Sequence, residues 1–362
     1  MAQVNQALTQ PPGQSPGQPL AQSGAAADAT RGVPEPLRIL VTTKHLHPDA
    51  HQLFAAAGAT VRVIDQYEPA EALERAMAEW NPHGVIARTI AVTARAIAAA
   101  PALRVIAKTG SGFDNIDLAT ATHLGIPVVY SYGANSPAVA EMALGMMFAL
   151  ARNLARHDRR IRAGEWSRFA FAAYELRNQT LGIVGYGQSG QHLARIAQGI
   201  GMHVAVWAPR YRYEQPPESV RVAASLHELL GSVDIVSLHC PLNASSHGLI
   251  DRAAIAALRP GAWLINIARG PVIDEPALLE GLASGQIGAA GLDSHVTEPL
   301  PADHPLLGFD NVVLTPHVGG STLQSTARMH PLAARNVLAV LTCGKVDPRG
   351  VANPEVLGQR PI

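Results

Sequence analysis

Three polar residues stand where buried strands are predicted to end, and their types suit acid–base chemistry on an anion. Arg269 follows the apolar run Ala262–Asn266, within the sequence NIARG. Glu298 lies in GLDSHVTEPL, and His317 lies in LTPHVGGST, directly after another apolar run. Open α/β sheets bind ligands at the carboxyl ends of their strands, so these positions favour one shared site.

The three residue types divide the work of such chemistry. A planar guanidinium at Arg269 can grip a carboxylate or a ketone oxygen through paired hydrogen bonds. His317 can give a proton because imidazole titrates near neutral pH. A carboxylate bonded to its other nitrogen fixes the tautomer and favours the protonated ring, and Glu298 is our candidate for it. The alternatives are a surface or capping arginine, a solvated loop and a structural histidine.

A glycine motif upstream predicts a bound dinucleotide. The strand-like run TLGIV is followed at once by GYGQSG, in which Gly185, Gly187 and Gly190 have the spacing of a dinucleotide fingerprint. Gly185 permits a tight turn, and Gly187 lets the backbone approach a pyrophosphate. Gly190 lets a helix, predicted over His192–Ile200, pack on the strand with its N-terminus towards the negative charge. The alternative is a glycine-rich turn without a ligand.

Composition limits the class of partner. The 362 residues are enough for two domains with sizeable cores, and the formal net charge of zero argues against nucleic acid or an anionic membrane. The two cysteines, Cys240 and Cys343, have neither metal-site nor CxxC spacing, so we expect no metal and a reduced, cytoplasmic setting. The longest apolar run, Ala138–Ala151, is broken by Glu141 and is too short to span a bilayer, which indicates a buried helix.

The chain divides into a leader and a first α/β domain. Residues 1–36 are rich in Gln, Pro, Gly and Ala, and they predict a disordered leader without the features of a secretory signal. A helix is predicted over Glu71–Trp80. The short apolar runs typical of buried parallel strands, in roughly flavodoxin-like order, are Arg38–Thr43, Val61–Asp65, Gly84–Arg88 and Leu103–Lys108.

A second domain begins with a helix predicted over Ser136–Asn153. Its six predicted strands, the count of a dinucleotide fold, are Leu181–Val184, His203–Trp207, Asp234–His239, Ala262–Asn266, Gly288–Leu292 and Asn311–Leu314. A last helix, at about 321–341, is expected to return to the first domain. The prediction is an α/β fold of two Rossmann-like or flavodoxin-like domains with parallel sheets. The cofactor domain (135–316) is inserted into the substrate domain (37–134 with 317–345), and a tail follows (346–362).

The chain resembles the D-isomer-specific 2-hydroxyacid dehydrogenase family over about residues 38–340. The stretches that carry the resemblance, in the family's order, are TGSGFDNID, GANSPAVAEMALGMMFALAR, GYGQSG, HCPLNASSHGLI, NIARGPVIDEPALLEGL, AAGLDSHVTEPL and TPHVGGST. The resemblance implies hydride transfer between NAD(P)H and a 2-keto acid/D-2-hydroxy acid pair. It places the catalytic arginine, glutamate and histidine on Arg269, Glu298 and His317, and it implies a homodimer formed through the cofactor domains.

Two groups of contacts are expected around these three residues. The candidate cofactor contacts are Gly185, Gly187, Gln188, Ser189, Gly190, Arg210, His239, Cys240, Pro241, Ala268, Arg269, Asp293, His317, Gly319 and Gly320. The candidate substrate contacts are Arg88, Lys108, Ser111, Gly112 and Arg269. Arg88 and Lys108 end first-domain strands, where either could bind a second anionic group of a 3-phosphoglycerate-type substrate. The alternative is ordinary strand-end charges, with glyoxylate or hydroxypyruvate in a small pocket.

One departure from the resemblance concerns the choice of cofactor. NAD-preferring members of the family usually carry an Asp after the second cofactor-domain strand, where it binds the adenine ribose. The strand here ends VAVWAPRYR, with Ala208 at that place. Arg210 and Arg212 follow and could pair with a 2′-phosphate, which predicts that NADPH is accepted. The alternative is that both arginines are solvated and NADH binds through its pyrophosphate.

Two other functions compete with this one. Formate dehydrogenases share the fold, but they resemble a pattern with an amide in place of Glu298. A non-enzymatic NAD(H) sensor, resembling the C-terminal-binding-protein corepressors, would keep the same three residues and report the cofactor level through dimerisation. Turnover of any 2-keto acid would favour the enzyme.

Overall fold

The computed structural model describes residues 35–166, 168, 171–209, 218–343 and 345–357. The first part of the chain forms a five-stranded parallel sheet of order β2-β1-β3-β4-β5, which is the predicted flavodoxin-like order. The strands are β1 (Arg38–Val41), β2 (Thr60–Val63), β3 (Gly84–Ala87), β4 (Val105–Lys108) and β5 (Val128–Tyr130). Strand β5 was not predicted, because three residues are too few to show a pattern.

The second sheet is parallel, has seven strands and follows the order β12-β11-β10-β9-β6-β7-β8. Its strands are β6 (Thr180–Val184), β7 (His203–Trp207), β8 (Arg221–Val222), β9 (Ile235–Leu238), β10 (Ala262–Asn266), β11 (Ile287–Leu292) and β12 (Val312–Leu314). Counted from β6, the order runs outwards in both directions, as in a doubly wound dinucleotide fold. The predicted fold class is therefore confirmed, with the two-residue β8 as an addition.

Helices cover both faces of both sheets, which is why most strands read as continuous apolar runs. The helices are α1 (Pro48–Ala56), α2 (Ala70–Trp80), α3 (Ala94–Ala98), α4 (Leu118–His123), α5 (Ser136–Ala151), α6 (Leu154–Arg162), α7 (Gln188–Gly199), α8 (Leu226–Leu230), α9 (Arg252–Ala256), α10 (Glu275–Ser284) and α11 (Leu323–Thr342).

The last helix, α11, packs on the five-stranded sheet although it follows the last strand of the other one. Ala334 and Val337 of α11 are buried with Val41 and Ile86 in one apolar cluster. The chain beyond α11 then covers the edge of the sheet: Val351 pairs antiparallel with β5, and the Asn353 side chain accepts a hydrogen bond from the Val128 N–H at 2.8 Å. The described part of the residues assigned to a tail thus protects an edge strand.

Several helix boundaries differ from the sequence-based prediction, and two of the differences have a cause in the backbone. Helix α7 begins at Gln188 rather than His192, because extended Gly187 serves as the N-cap and the fingerprint supplies the first turn. The helix predicted to reach Asn153 ends at Ala151, and Asn153 adopts a left-handed conformation with φ of 50°. No single described helix is long and apolar enough to cross a membrane. Helices α5 and α6 pass that test only as a pair, and they are bent by 60°.

Candidate active site

The three predicted catalytic residues lie at the carboxyl ends of three neighbouring strands of the seven-stranded sheet. Arg269 follows β10, Glu298 lies in the loop after β11, and His317 follows β12. These strands are adjacent because β11 lies between β10 and β12. The topology therefore brings together residues that are up to 48 positions apart in sequence, from 269 to 317.

The imidazole of His317 and the carboxylate of Glu298 form a hydrogen-bonded pair. His317 Nδ1 lies 2.9 Å from Glu298 Oε2, and both side chains are 40% exposed. Glu298 Oε1 accepts a hydrogen bond from the His295 N–H at 3.0 Å. Partial burial alone would raise the pKa of Glu298, but the hydrogen bonds from His317 and the His295 backbone outweigh it and hold that pKa below its usual value. The carboxylate is thus charged at neutral pH.

Asp293 holds the loop that presents His317. Its buried carboxylate, 2% exposed, accepts hydrogen bonds from the N–H groups of Val318 and Gly319, each at 2.8 Å, and from the Thr315 hydroxyl at 2.6 Å. The Asp293 carbonyl also accepts the His317 N–H at 2.7 Å. These bonds fix His317 in a left-handed conformation, with φ of 55°, that side chains other than glycine rarely adopt. The contact of Asp293 with a cofactor stays a prediction.

Arg269 reaches from the seven-stranded sheet to a loop of the five-stranded one. Its Nε donates to Asp114 Oδ1 at 3.0 Å, and its Nη1 donates to the Ala268 carbonyl at 2.7 Å. The guanidinium lies against Gly112, where a Cβ atom would come within 1.5 Å of Nη2. The neighbouring Ser111 hydroxyl donates to Asn135 Oδ1 at 3.3 Å. The loop whose Ser111 and Gly112 are predicted substrate contacts therefore meets the arginine predicted to bind the same substrate.

Asp114 is the functional neighbour that sequence reasoning missed. It lies in TGSGFDNID, one of the stretches that carry the family resemblance, but nothing local showed that its partner would be an arginine 155 residues away. Burial raises the pKa of Asp114, but the Arg269 guanidinium, a backbone hydrogen bond and the Lys108 charge lower it to a net value below the usual range. The pair is thus ionised at neutral pH.

Lys108 and Arg88 lie at the ends of neighbouring strands, β4 and β3. The Lys108 ammonium donates to the Arg88 carbonyl and, at 2.5 Å, to Asn115 Oδ1. Burial lowers the pKa of Lys108 to about 7. Asp114 opposes this shift, whereas Arg269 and Arg88 add to it. Lys108 is thus bonded within the protein, while the Arg88 side chain stays partly exposed. Their contact with substrate stays a prediction.

The glycine fingerprint has the geometry of an anion cradle. Gly185 has φ of 90°, in the region that favours glycine, and turns the chain from β6 into α7. A Cβ on Gly187 would meet no heavy atom within 4 Å, so that side is open for close approach of a ligand. A Cβ on Gly190 would lie 2.5 Å from the Gly185 carbonyl, so the helix could not pack so closely. The first-turn N–H groups of the 12-residue α7 suit the pyrophosphate of a dinucleotide.

A partly buried histidine ties this turn to the neighbouring strand. His239 Nδ1 lies 3.1 Å from the hydroxyl of Ser189 in α7, and Nε2 lies 3.0 Å from the hydroxyl of Ser237 in β9. Burial lowers the pKa of His239 to about 3, so the ring is neutral. Burial also raises the pKa of the next residue, Cys240, to about 11, which keeps it a thiol. Both groups are uncharged beside the fingerprint.

The other predicted cofactor contacts surround the same edge. The Pro241 carbonyl accepts a hydrogen bond from Ser246 at 2.6 Å, and Gln188 Nε2 donates to the Tyr132 hydroxyl at 3.4 Å. Gly320 packs so closely on Asn135 that a Cβ would lie 2.7 Å from its amide nitrogen. Ala208 follows β7 and is buried. Arg210 and Arg212 lie outside the described residues, so their predicted role has no structural account.

The chemistry available here defines a class of protein. A doubly wound sheet binds a dinucleotide at its glycine turn, and a cation and a proton donor stand at the ends of strands further along the same edge. These are the requirements of a nicotinamide-dependent oxidoreductase that works on a carbonyl beside a carboxylate.

Comparison with known proteins gives the family. Residues 144–319 match the NAD binding domain of the D-isomer specific 2-hydroxyacid dehydrogenases. The chain is 38% identical over 276 residues to the glyoxylate reductase of Thermofilum pendens, an alignment that covers 75% of this chain and 81% of the relative. It is 37% identical over 308 residues to the D-3-phosphoglycerate dehydrogenase of Methanocaldococcus jannaschii, covering 84% of this chain and 57% of that longer protein.

A solved structure agrees with the sequence comparisons. The NADPH-dependent glyoxylate/hydroxypyruvate reductase of Sinorhizobium meliloti, in complex with NADP and malonate, superimposes with a TM-score of 0.79 at 26% identity, over 90% of this chain and 99% of that one. This chain belongs to the D-isomer specific 2-hydroxyacid dehydrogenase family. It is an oxidoreductase acting on CH–OH groups with a nicotinamide cofactor, and nothing favours the corepressor-like alternative over the enzyme.

Proposed function

We propose that this enzyme interconverts a small 2-keto acid and its D-2-hydroxy acid, with Arg269, Glu298 and His317 as its catalytic residues. The observation that carries the proposal is the 2.9 Å contact between His317 Nδ1 and Glu298 Oε2. The two residues follow β12 and β11, and Arg269 follows the next strand of the sheet, β10. Glyoxylate, hydroxypyruvate and a 3-phosphoglycerate-type acid are the candidate substrates.

Each residue acts on a different part of the keto acid. Because Nδ1 of His317 is bonded to Glu298, Nε2 is the nitrogen left to give a proton to the oxygen of the carbonyl as it becomes an alkoxide. The charged Glu298 stabilises the imidazolium form before that transfer. Arg269 binds the carboxylate and polarises the carbonyl through its guanidinium. The bound nicotinamide supplies or accepts the hydride.

We propose that the enzyme accepts NADPH. Ala208, at the end of β7, offers no carboxylate to bind the ribose hydroxyls or to repel a 2′-phosphate. Arg210 and Arg212 follow two and four residues later and supply two cations. The test compares kcat/KM for NADPH and NADH in the natural enzyme and in Ala208→Asp, which should shift the preference towards NADH. A natural enzyme with strong NADH preference would contradict the proposal.

We also propose a cytoplasmic homodimer. The exposed apolar side chains of Leu154, Ile161 and Trp166, the last 76% exposed, lie on and just after α6 and suit contact with a second copy. The two cysteines are free, in keeping with a reducing compartment. Sedimentation of the purified protein tests the dimer, and a monomer at micromolar concentration would contradict it.

The deciding experiment for the reaction is a substrate panel. Purified protein is mixed with NADPH or NADH and with glyoxylate, hydroxypyruvate, pyruvate, phenylpyruvate or 3-phosphohydroxypyruvate, and the nicotinamide absorbance is followed. Oxidation of the cofactor with one keto acid, lost in His317→Ala, is the expected result. No turnover with any of them, despite tight cofactor binding, would overturn the proposal in favour of a sensor.

A further inference from the structure

One buried histidine joins the two loops that carry Glu298 and His317. His295 lies after β11, three residues before Glu298, and is 8% exposed. Its N–H donates to Glu298 Oε1 at 3.0 Å, and its ring Nε2 lies 3.0 Å from the carbonyl oxygen of Thr315. Because a carbonyl oxygen accepts hydrogen bonds and donates none, Nε2 carries the proton of this bond. Thr315 is two residues before His317, so the ring connects one loop to the other.

The second nitrogen of this ring shows that packing alone does not account for a histidine here. Nδ1 is buried and has no hydrogen-bond partner among the residues that the structure describes. With Nε2 protonated, Nδ1 of the neutral ring is an acceptor, and an acceptor buried without a donor costs free energy. A phenylalanine would fill nearly the same space without that cost. The hydrogen bond from Nε2 to the His317 loop is therefore what the imidazole contributes at this position.

The chain at His295 also packs against the loop that carries Arg269. The Ser294 hydroxyl donates to the Ala268 carbonyl at 3.1 Å. On the other side of Arg269, a Cβ atom on Gly270 would lie 2.0 Å from the His295 carbonyl carbon, so the two backbones approach closely only because this residue is glycine. Both chain neighbours of Arg269 thus touch these two residues. The loops after β10, β11 and β12 therefore meet here.

Of the bonds that His295 makes to the loops of the pair, one depends on the imidazole. The bond to Glu298 comes from the His295 backbone, so it remains when the side chain is changed. The Nε2–H bond holds the peptide group between Thr315 and Pro316, which directly precedes His317. A substitution of the ring therefore releases that peptide group while the carboxylate stays bonded. The consequence is a change in where the His317 ring lies relative to Glu298.

We propose that His295 is a positioning residue of the acid–base pair: its Nε2–H bond to the Thr315 carbonyl keeps His317 Nδ1 within hydrogen-bond distance of Glu298 Oε2. This inference rests on the proposed function for the roles of Glu298 and His317. Correct placement of a proton donor lowers the barrier of the chemical step and does not act on the groups that bind the substrate. The bond should therefore affect kcat and leave KM nearly unchanged.

The test changes the donor of His295 and keeps the bulk of its side chain. His295→Phe retains a planar ring and removes the N–H, whereas His295→Gln places an amide N–H near the position of Nε2. His304→Phe is the matched control, because it removes an imidazole from the same β11–β12 connection whose ring bonds are to Glu275 Oε1 and the Leu306 N–H. The constants kcat and KM are measured with the keto acid that the substrate panel selects, and melting temperatures report any loss of folding.

We expect kcat to fall by roughly tenfold in His295→Phe, the size of a lost hydrogen bond. KM should stay within about twofold, and His295→Gln should recover most of kcat. His304→Phe should leave both constants as they are, even where it lowers the melting temperature. A double-mutant cycle identifies what the ring acts on. In the Glu298→Ala background, His295→Phe should cost less than about twofold, because the pair that it positions is already broken.

Three results overturn the assignment. One is a kcat that is unchanged in His295→Phe. Another is a loss that persists in full in the Glu298→Ala background, which would mean that the ring serves the fold rather than the pair. The third is a His295→Gln enzyme that is no more active than His295→Phe at an equal melting temperature.

If no keto acid is turned over, the proposed function fails, and the positioning role is judged without activity. Nitrogen NMR of the His317 ring, assigned from the spectrum of His317→Gln, reports which ring nitrogen carries the proton in alkaline solution, where imidazole is neutral. The Nδ1–H tautomer should dominate in the natural protein, because Glu298 accepts from Nδ1, and should lose population in His295→Phe. Identical ring spectra in the two proteins would overturn the positioning role as well.

Discussion

Arg269 and His317 end strands of the same sheet, yet their side chains are held in different ways. His317 is fixed from within the seven-stranded sheet, because its backbone is held by Asp293 and its ring by Glu298. The Arg269 guanidinium donates to the Ala268 carbonyl of its own loop, but it is also held from the other sheet, by Asp114 and by the close approach that Gly112 permits. The proton donor is thus independent of the five-stranded sheet, and the anion-binding group depends on it.

This difference separates the two tasks of the site. Changes near His317 should alter proton transfer and its pH dependence, with little effect on substrate affinity. Changes in the loop 109–117 should alter how well Arg269 meets the substrate, although that loop belongs to another sheet. Three predictions test this division, and a fourth compares the two sheets in their stability towards acid.

Removal of the imidazole should have the largest effect. His317→Ala leaves the alkoxide without a proton donor, and we expect kcat for keto-acid reduction to fall by about 10³-fold, within the range for general acid catalysis. The absorbance assay with NADPH or NADH measures it, and cofactor fluorescence measures the Kd, which should change little. A variant that keeps more than a tenth of the activity would show that another group supplies the proton.

Gly112→Ala tests the support that Arg269 receives from the other sheet. The added Cβ would occupy the place of Nη2, which lies at the end of a flexible side chain, so the guanidinium should move while the fold remains. We expect kcat/KM to fall by roughly 10²-fold, the cost of misplacing a catalytic group by about 1 Å. Gly199→Ala is the matched control, because a Cβ there meets nothing within 4 Å. Equal losses in both variants would refute the proposed dependence.

Glu298→Gln should change the pH profile more than the affinity. The hydrogen bonds that hold the pKa of Glu298 low keep its charge beside the imidazole at every pH of the assay, and the amide removes that charge. The protonated ring then loses the opposite charge beside it. We expect kcat for reduction to fall by about tenfold at pH 8 and by less at pH 6, with KM nearly constant. Profiles that run parallel from pH 5.5 to 9 would count against the pairing.

The smallest effect concerns stability in acid, because each sheet packs against one histidine whose pKa burial lowers strongly. Burial lowers the pKa of His330 to about 4 and that of His239 to about 3, whereas an unfolded histidine titrates near its ordinary value of 6.5. Below pH 6.5 the unfolded chain binds more protons than the folded one. The free energy of unfolding should therefore decrease as the pH is lowered, by up to about 1.4 kcal/mol per pH unit for each histidine.

Urea unfolding at pH 7.5, 6.0 and 5.0 measures this slope. His330→Asn should remove the contribution of His330 to the pH dependence and leave that of His239. The free energy of unfolding should then change less steeply between pH 6 and pH 5 in the variant. An unchanged slope would assign the acid sensitivity to other groups, among them Glu298 and Asp114, whose lowered pKa values act in the same direction at lower pH.

Much of the fold was readable in the sequence because it depends on local patterns. Parallel strands buried on both faces are continuous apolar runs, and each of the ten predicted strands overlaps one in the structure. The strands that were missed, β5 and β8, have three and two residues, too few to carry a pattern. The start of α7 was predicted four residues too late, because glycine has a low helix propensity and Gly190 lies in the first turn. Only the close packing of that turn on the end of β6 explains a glycine inside the helix.

By itself, the sequence determined which residues follow which strands, and the rule that ligands bind at carboxyl strand ends then placed Arg269, Glu298 and His317 at one edge. Tertiary structure alone decided which side chains meet across that edge. The pairing of Arg269 with Asp114, the hydrogen bonds of Asp293 to the His317 loop and the hydrogen bond from the His47 N–H to His330 join residues 155, 24 and 283 positions apart. Such contacts depend on how distant segments of the chain pack together, within one sheet or between the two, and no local spacing encodes them.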